Sequence, residues 1–225
     1  VGSLDVNKAV FRGNASGQNG GAIFVLNSSA SIVDSAFGDN AAERNGGAIA
    51  ASIATGSGEL NLVNTLVANN AANAVNGGAI YAFAASGAAL AVNATNTTIV
   101  DNTAVLGGGL YASNAKVVLN NTILASNSQD LVLENGASAK AKSSLIGDGE
   151  AALESGSLLV KNSFVGTTNA PIDPKLDASY APTAASPALN SGSNELAVYV
   201  DGSAIEKDVL GQDRFVGYDV DGQIH

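Results

Sequence analysis

The strongest constraint on this chain is that it repeats itself. The phrase Gly-Gly-Ala-Ile occurs at 20–23, 46–49 and 77–80, and a looser Gly-Gly-Gly-Leu stands at 107–110. Self-similarity at a period of about 20 to 50 residues marks a stacked architecture, in which each copy buries its apolar face only against its neighbours. A second phrase keeps constant internal spacing: apolar, x, apolar, x, polar, x, x, apolar, x, x, Asn. It reads Leu4, Val6, Lys8, Phe11, Asn14, then Ala30, Ile32, Asp34, Phe37, Asn40, then Leu60, Leu62, Asn64, Val67, Asn70. Val92, Ala94, Asn96, Ile99, Asn102 and Val117, Leu119, Asn121, Leu124, Asn127 continue it. Two weaker copies, ending at Gly149 and Thr168, lose the Asn and keep the apolar rhythm. The steps between closing positions are 26, 30, 32, 25, 22 and 19 residues.

Apolar residues two apart, such as Leu60 and Leu62, share one face of a strand, whereas a helix needs spacings of three and four. The next apolar residue comes five positions later, so a bend must intervene if Phe37 or Val67 is to face the same core. Asp34, Asn64, Asn96 and Asn121 stand at that bend, and Asn and Asp tolerate the left-handed backbone it requires. The Gly-Gly-Ala-Ile phrase reads as a further strand in each turn, entered through glycines. The predicted fold is all-β: a parallel β-helix of about seven coils, roughly 34 Å long at ~4.8 Å per coil. Ile23, Ile49, Ile80 and Leu110 should form one aliphatic column, and Asn64, Asn96 and Asn121 an amide ladder. Variable loops such as 54–59 should lie outside.

The repeat fills residues 1–168. In 169–225 the Asn template stops and all four prolines fall between Pro171 and Pro187, so this stretch cannot be an ordinary coil. It is expected to cap the rod, run along it or anchor it. The start of the chain shows no comparable segment and, if the chain is complete, is expected to be an edge able to accept another subunit.

With 46% hydrophobic but only 5% aromatic residues, the core must be built of Ala, Val, Ile and Leu, as a narrow coil interior requires. No apolar run is long enough for a membrane-spanning helix. The chain opens without Met inside a repeat, as a processed form or fragment would. Net charge is −10, with six acids and four bases in residues 1–127 and fourteen acids and six bases in 128–225, which argues against a nucleic-acid partner. There is no cysteine, hence no disulfide or thiol chemistry.

Candidate chemistry is sparse. The one histidine is His225, which leaves no Ser-His-Asp set and no histidine metal cluster. Arg12 and Arg44 stand near Asp39 and Glu43 in turns, where surface ion pairs are the ordinary reading. Asp219-x-Asp221-Gly222, with Asp213 upstream, has the spacing of a partial calcium loop without its closing Glu, so calcium is the single cofactor to consider and an acid-rich turn the simpler reading. Thr65, Thr97, Thr98 and Thr122 lack the two-residue spacing of an ice-binding array. If Ile23, Ile49 and Ile80 face inward, alternation turns Phe24, Ala50, Tyr81 and Tyr111 outward, a strip that would stack on sugar rings or on a neighbouring protein.

The pairing of Phe11 and Asn14 with 20–23, and of Phe37 and Asn40 with 46–49, resembles the repeats of chlamydial polymorphic outer membrane proteins. It is also similar to that of bacterial secreted proteins with a pectate-lyase-like right-handed β-helix. The tail, with Asp173 to Leu176, Ser186 to Gly192, Gly211 and Arg214, resembles the closing segment of choice-of-anchor β-helix proteins, with Tyr218 to Gly222 in place of their usual ending. The resemblance implies a right-handed coil and an exported, cell-surface or extracellular setting. Enzymes of this fold use clustered aspartates and a basic group on acidic polysaccharides, and the repeats here hold no column of carboxylates. Two functions follow as expectations. One is a non-catalytic structural or adhesive rod that self-associates or binds surface proteins and glycans. The other is a carbohydrate-active β-helix enzyme, lyase or hydrolase, or a fragment of one.

Overall fold

The structure, a computed structural model, describes residues 2–149 and 156–214. A first sheet stacks seven parallel strands: Ser3–Asn7, Ser29–Val33, Ser57–Val63, Ala89–Thr95, Lys116–Asn120, Ser138–Lys142 and Ser157–Lys161. A second stacks another seven: Val10–Arg12, Ala36–Gly38, Leu66–Ala68, Thr98–Val100, Ile123–Ala125, Leu145–Ile146 and Phe164–Val165. A third has five: Ile23–Leu26, Ile49–Ile53, Ile80–Ala84, Leu110–Ser113 and Leu131–Glu134. Every strand of these sheets pairs with its counterpart one repeat away, so the chain is a parallel β-helix, with seven coils among the described residues.

The pairing register follows the sequence template residue by residue. Leu4, Ala30, Leu60, Val92, Val117, Ala139 and Leu158 lie in one column. Phe11, Phe37, Val67, Ile99, Leu124, Ile146 and Val165 form a second, with the Phe11 and Phe37 rings stacked at 4.8 Å. Ile23, Ile49, Ile80 and Leu110 form the third and are extended by Leu131, in a coil without the glycine pair. These columns and their neighbours make one continuous core through the axis. The loop at 54–59 is outside only in its first half, because Ser57, Gly58 and Glu59 lengthen a strand of the first sheet and Gly58 is buried.

Among the bends that take left-handed residues, two belong to the Asn template. At the first, Lys8, Asp34, Asn64, Asn96, Asn121, Ser143 and Asn162 have φ of 48–52°. At the second, Gly13, Asp39, Asn69, Asp101 and Ser126 have φ of 57–67° and directly precede the closing Asn. A serine or threonine follows most first-bend residues. The Oγ1 of Thr65, Thr97 and Thr122 and the Oγ of Ser144 each donate to strand carbonyls inside the rod. The threonines are therefore buried structural groups and no surface array.

The amide ladder is present, on a different column from the expected one. The closing asparagines carry it: Nδ2 of Asn14 donates to Oδ1 of Asn40, Asn40 to Asn70, Asn70 to Asn102, and Asn102 to Asn127, at 2.8–2.9 Å. Each Oδ1 also accepts the backbone N–H one coil earlier. Asp130 ends the series, taking the backbone N–H and Nδ2 of Asn127 on Oδ1 and the N–H of Asp148 on Oδ2. An ionised carboxylate only accepts, so Asp130 closes the ladder in the direction that backbone N–H and carbonyl groups give each amide below it. Burial pushes its pKa up, against those hydrogen bonds, which pull it down. The bend asparagines form no such run. Asn64 donates to Asp34 Oδ1 at 2.7 Å, Asn121 donates to the carbonyl of Ser193, and Asn96 bonds to neither neighbour. At the first bend Asp34, Asn64 and Asn121 meet the tail, whereas the closing asparagines turn into the coil.

The tail lies along this bend ridge. Tyr180 Oη meets Asn69 Nδ2, Ser193 brackets Asn121, Tyr199 Oη donates to Asp34, and the carbonyl of Lys207 accepts from Asn64. It is built from tight reversals in which Asp177, Asp201 and Asp208 each accept backbone N–H groups two or four residues on. These three acids are thus engaged in making turns.

Candidate functional site

The outward face of the third sheet carries the predicted aromatic strip, in the predicted register: Phe24 beside Ala50, Ala50 beside Tyr81, Tyr81 beside Tyr111. Exposure along it is uneven. Phe24 is 46% exposed and Tyr81 half-buried, but Ala50 and Tyr111 are buried. The glycine turns lie equally close to all four residues, so the difference comes from the side chains: Ala50 is short, and Tyr111 is engaged by the stacked Tyr81 ring and by Glu134. The strip open to a ligand is therefore Phe24 and Tyr81, with Tyr111 as backing. Phe83, two residues beyond Tyr81 and 6.4 Å from it ring to ring, shares this face and is recoverable by the same alternation.

Tyr81 and Tyr111 stack at 5.4 Å, and Tyr111 Oη donates to Glu134 Oε2 at 2.5 Å. Burial first, and then Glu134, push the Tyr111 pKa above its usual 10.0. A folded pKa above the unfolded one means this contribution is whole below pH 10 and is lost as pH rises above it. Tyr111→Phe should cost about 1.5 kcal/mol at neutral pH, a charge-assisted hydrogen bond, and should flatten alkaline destabilisation; urea titrations at neutral and alkaline pH check both.

Of the calcium candidates, Asp213 is held in an exposed ion pair with Lys207 at 2.6 Å, while Asp219 and Asp221 lie outside the described residues, as does His225. No group of three potential metal-binding side chains occurs among the described residues. Arg12 pairs with Asp39 at 2.8 Å on the surface, and Arg44 instead donates to Gln18.

Between tail and bend ridge lies a small, partly open cavity of ≈ 120 Å³, which the repeat pattern did not announce. Asn64, Asn96 and Asn121 line it from the rod, and Tyr180, Asp208 and Arg214 from the tail. Asn96 is 5% exposed, and neither its Oδ1 nor its Nδ2 has a hydrogen-bond partner. Arg214 makes one long hydrogen bond, 3.3 Å to Asn64 Oδ1, and no carboxylate of the described residues is within ion-pair distance of it. Burial lowers its pKa, partly offset by Asp208 and Tyr199.

Comparison with family models matches residues 8–26 to the Chlamydia polymorphic membrane protein repeat. That segment holds 20–23, a whole copy of the first phrase, and Lys8, Phe11 and Asn14, the closing part of the second. Comparisons with curated proteins and with solved structures returned no match. No helix of the described residues is long and apolar enough to cross a membrane.

Proposed function

We propose that this chain is a non-catalytic rod of an exported bacterial surface protein, serving adhesion or extracellular structure. The observation that supports it best is where the recurring polar side chains go. The closing asparagines, the bend hydroxyls and the glycine pairs are all consumed in joining coil to coil, so the repetition serves the rod. The match of 8–26 to a repeat named for a chlamydial membrane protein favours a surface setting. Residues 169–214 brace the flank of the rod, and Phe24 with Tyr81 offers stacking area to glycans or neighbouring proteins.

Incubation with acidic and neutral polysaccharides should yield no unsaturated or reducing ends. Turnover would overturn the reading in favour of a carbohydrate-active enzyme. Immobilised chain should retain a surface glycan or a second copy of itself, and the double variant Phe24→Ala/Tyr81→Ala should weaken that retention about tenfold. Retention unchanged in the double variant removes the strip from the adhesive face.

A further inference from the structure

The cavity beneath the tail is not explained by coil stacking. A buried side-chain amide without partners is costly, about 1 to 3 kcal/mol per unsatisfied group, and native structures rarely leave both ends of one amide unmet. The other residues of its column avoid this: Asn64 is held by Asp34, Lys207 and Arg214, and Asn121 by Ser193. Asn96 alone faces the cavity with a free donor and a free acceptor. On the opposite wall the Arg214 guanidinium has five donors and uses one, weakly. The walls thus present a cation with spare donors together with one donor-acceptor pair.

We propose that this cavity binds a small hydroxycarboxylate, its carboxylate on Arg214 and its hydroxyl on the Asn96 amide. Arg supplies the planar donor fork that matches a carboxylate, and an amide pairs with a hydroxyl in both directions. The cavity volume admits a ligand of a few heavy atoms or one corner of a sugar acid, at about 30 Å³ per water displaced. Asp208 on the same wall has Oδ1 engaged by the N–H groups of Leu210 and Gln212, and its charge opposes a dianion. In a chain of net charge −10 an anion site depends on this one cation. The inference stands independently of the adhesive reading, since it concerns the tail and not the aromatic strip.

The test is titration calorimetry and thermal unfolding of the chain with glycolate, D-glucuronate, glucuronate methyl ester and inorganic phosphate. Saturable millimolar binding is expected for glycolate or glucuronate, with a raised melting temperature, and none for the ester. Binding by glucuronate but not glycolate assigns the site to sugar acids; binding by both assigns it to hydroxycarboxylates at large. Arg214→Gln should weaken binding about tenfold or more. Asn96→Asp guards against loss through an unseated tail: Asp tolerates the left-handed bend, puts a fixed carboxylate in the cavity beside Arg214, and should raise the melting temperature while abolishing the response to ligand. No saturable binding to the wild-type chain, equal binding by Asn96→Asp, or phosphate binding as well as the hydroxy acids would each overturn the proposal.

Discussion

Gly47→Ala is expected to cost about 3 kcal/mol or more and to break the rod at the second coil, although it adds one methyl group. The new Cβ would lie 2.2 Å from the carbonyl oxygen of Gly78 and 2.5 Å from the carbonyl carbon and oxygen of Ala71. All are backbone atoms, so no side chain can rotate away. They are also fixed by the coil hydrogen bonds, Gly47 N–H to Gly77 at 3.0 Å and Ala71 N–H to Asn40 at 2.9 Å. Relief requires parting two coils, which opens the core columns on either side. Gly21 and Gly78 occupy the same column with equally close carbonyls, so their alanine variants should behave alike. Gly87→Ala is the control: its φ is +81° but nothing lies within 4 Å, so it carries only backbone strain of about 1 kcal/mol. Urea unfolding of the four variants separates steric blockage from strain. A smaller m-value in Gly47→Ala would report coils frayed beforehand, as expected of a stack that holds only through nearest neighbours. Equal costs for Gly47→Ala and Gly87→Ala would refute the close-packed glycine column.

The second glycine of each pair shows why the architecture could be read from the chain. Stacking makes each position see the same position one coil away, so a local steric requirement is written once per coil. The same holds for the two-residue alternation of Leu60 with Leu62 and Val117 with Val118's neighbour Leu119, whose register needed no adjustment. Where a coil meets the requirement differently, the pattern goes silent: Leu131–Glu134 joins the third sheet with no glycine pair before it, and only pairing to Leu110–Ser113 reveals it.

The candidate site was harder to read for an opposite reason. Two columns of asparagine run through the repeat with the same residue type and the same period. What distinguishes them is the direction the side chain takes from a left-handed bend, a matter of backbone geometry that spacing does not encode. Asn64 and Asn70 are six residues apart; one meets the tail and the other is inside the rod. The partners of the outward column lie 72 to 165 residues away, as with Ser193 to Asn121 and Tyr199 to Asp34. A contact made once carries no period, so Arg214 entered the reading only as a tail residue, and its place beside Asn64 and Asn96 needed the fold.

Asn70→Asp tests the direction of the inner ladder and should be the most costly near-isosteric change in the molecule, about 4 kcal/mol at neutral pH. Asn70 is 1% exposed. Its Oδ1 accepts from the N–H and Nδ2 of Asn40, which a carboxylate oxygen would do equally well. Its Nδ2 donates to Asn102 Oδ1, Phe37 O and Ala68 O at 2.9–3.1 Å. The substitution turns that donor into an acceptor facing three acceptors, with a charge added out of water. Such a carboxyl has a folded pKa well above its unfolded value of about 3.9. Its protonated form is therefore favoured in the folded state, and the penalty is smallest below the unfolded pKa and grows as pH rises to the folded one. Relative to wild type, Asn70→Asp should regain stability on acidification, because one O–H then donates where Nδ2 did. Asn70→Leu should cost about 3 kcal/mol without that pH dependence, and Asn14→Asp, at the exposed start of the ladder, less than about 1 kcal/mol. Urea titrations from neutral to acidic pH distinguish these outcomes. A difference between Asn70→Asp and wild type that stays flat with pH would mean that the carboxyl finds donors on both sides, and that the ladder has no fixed direction at this rung.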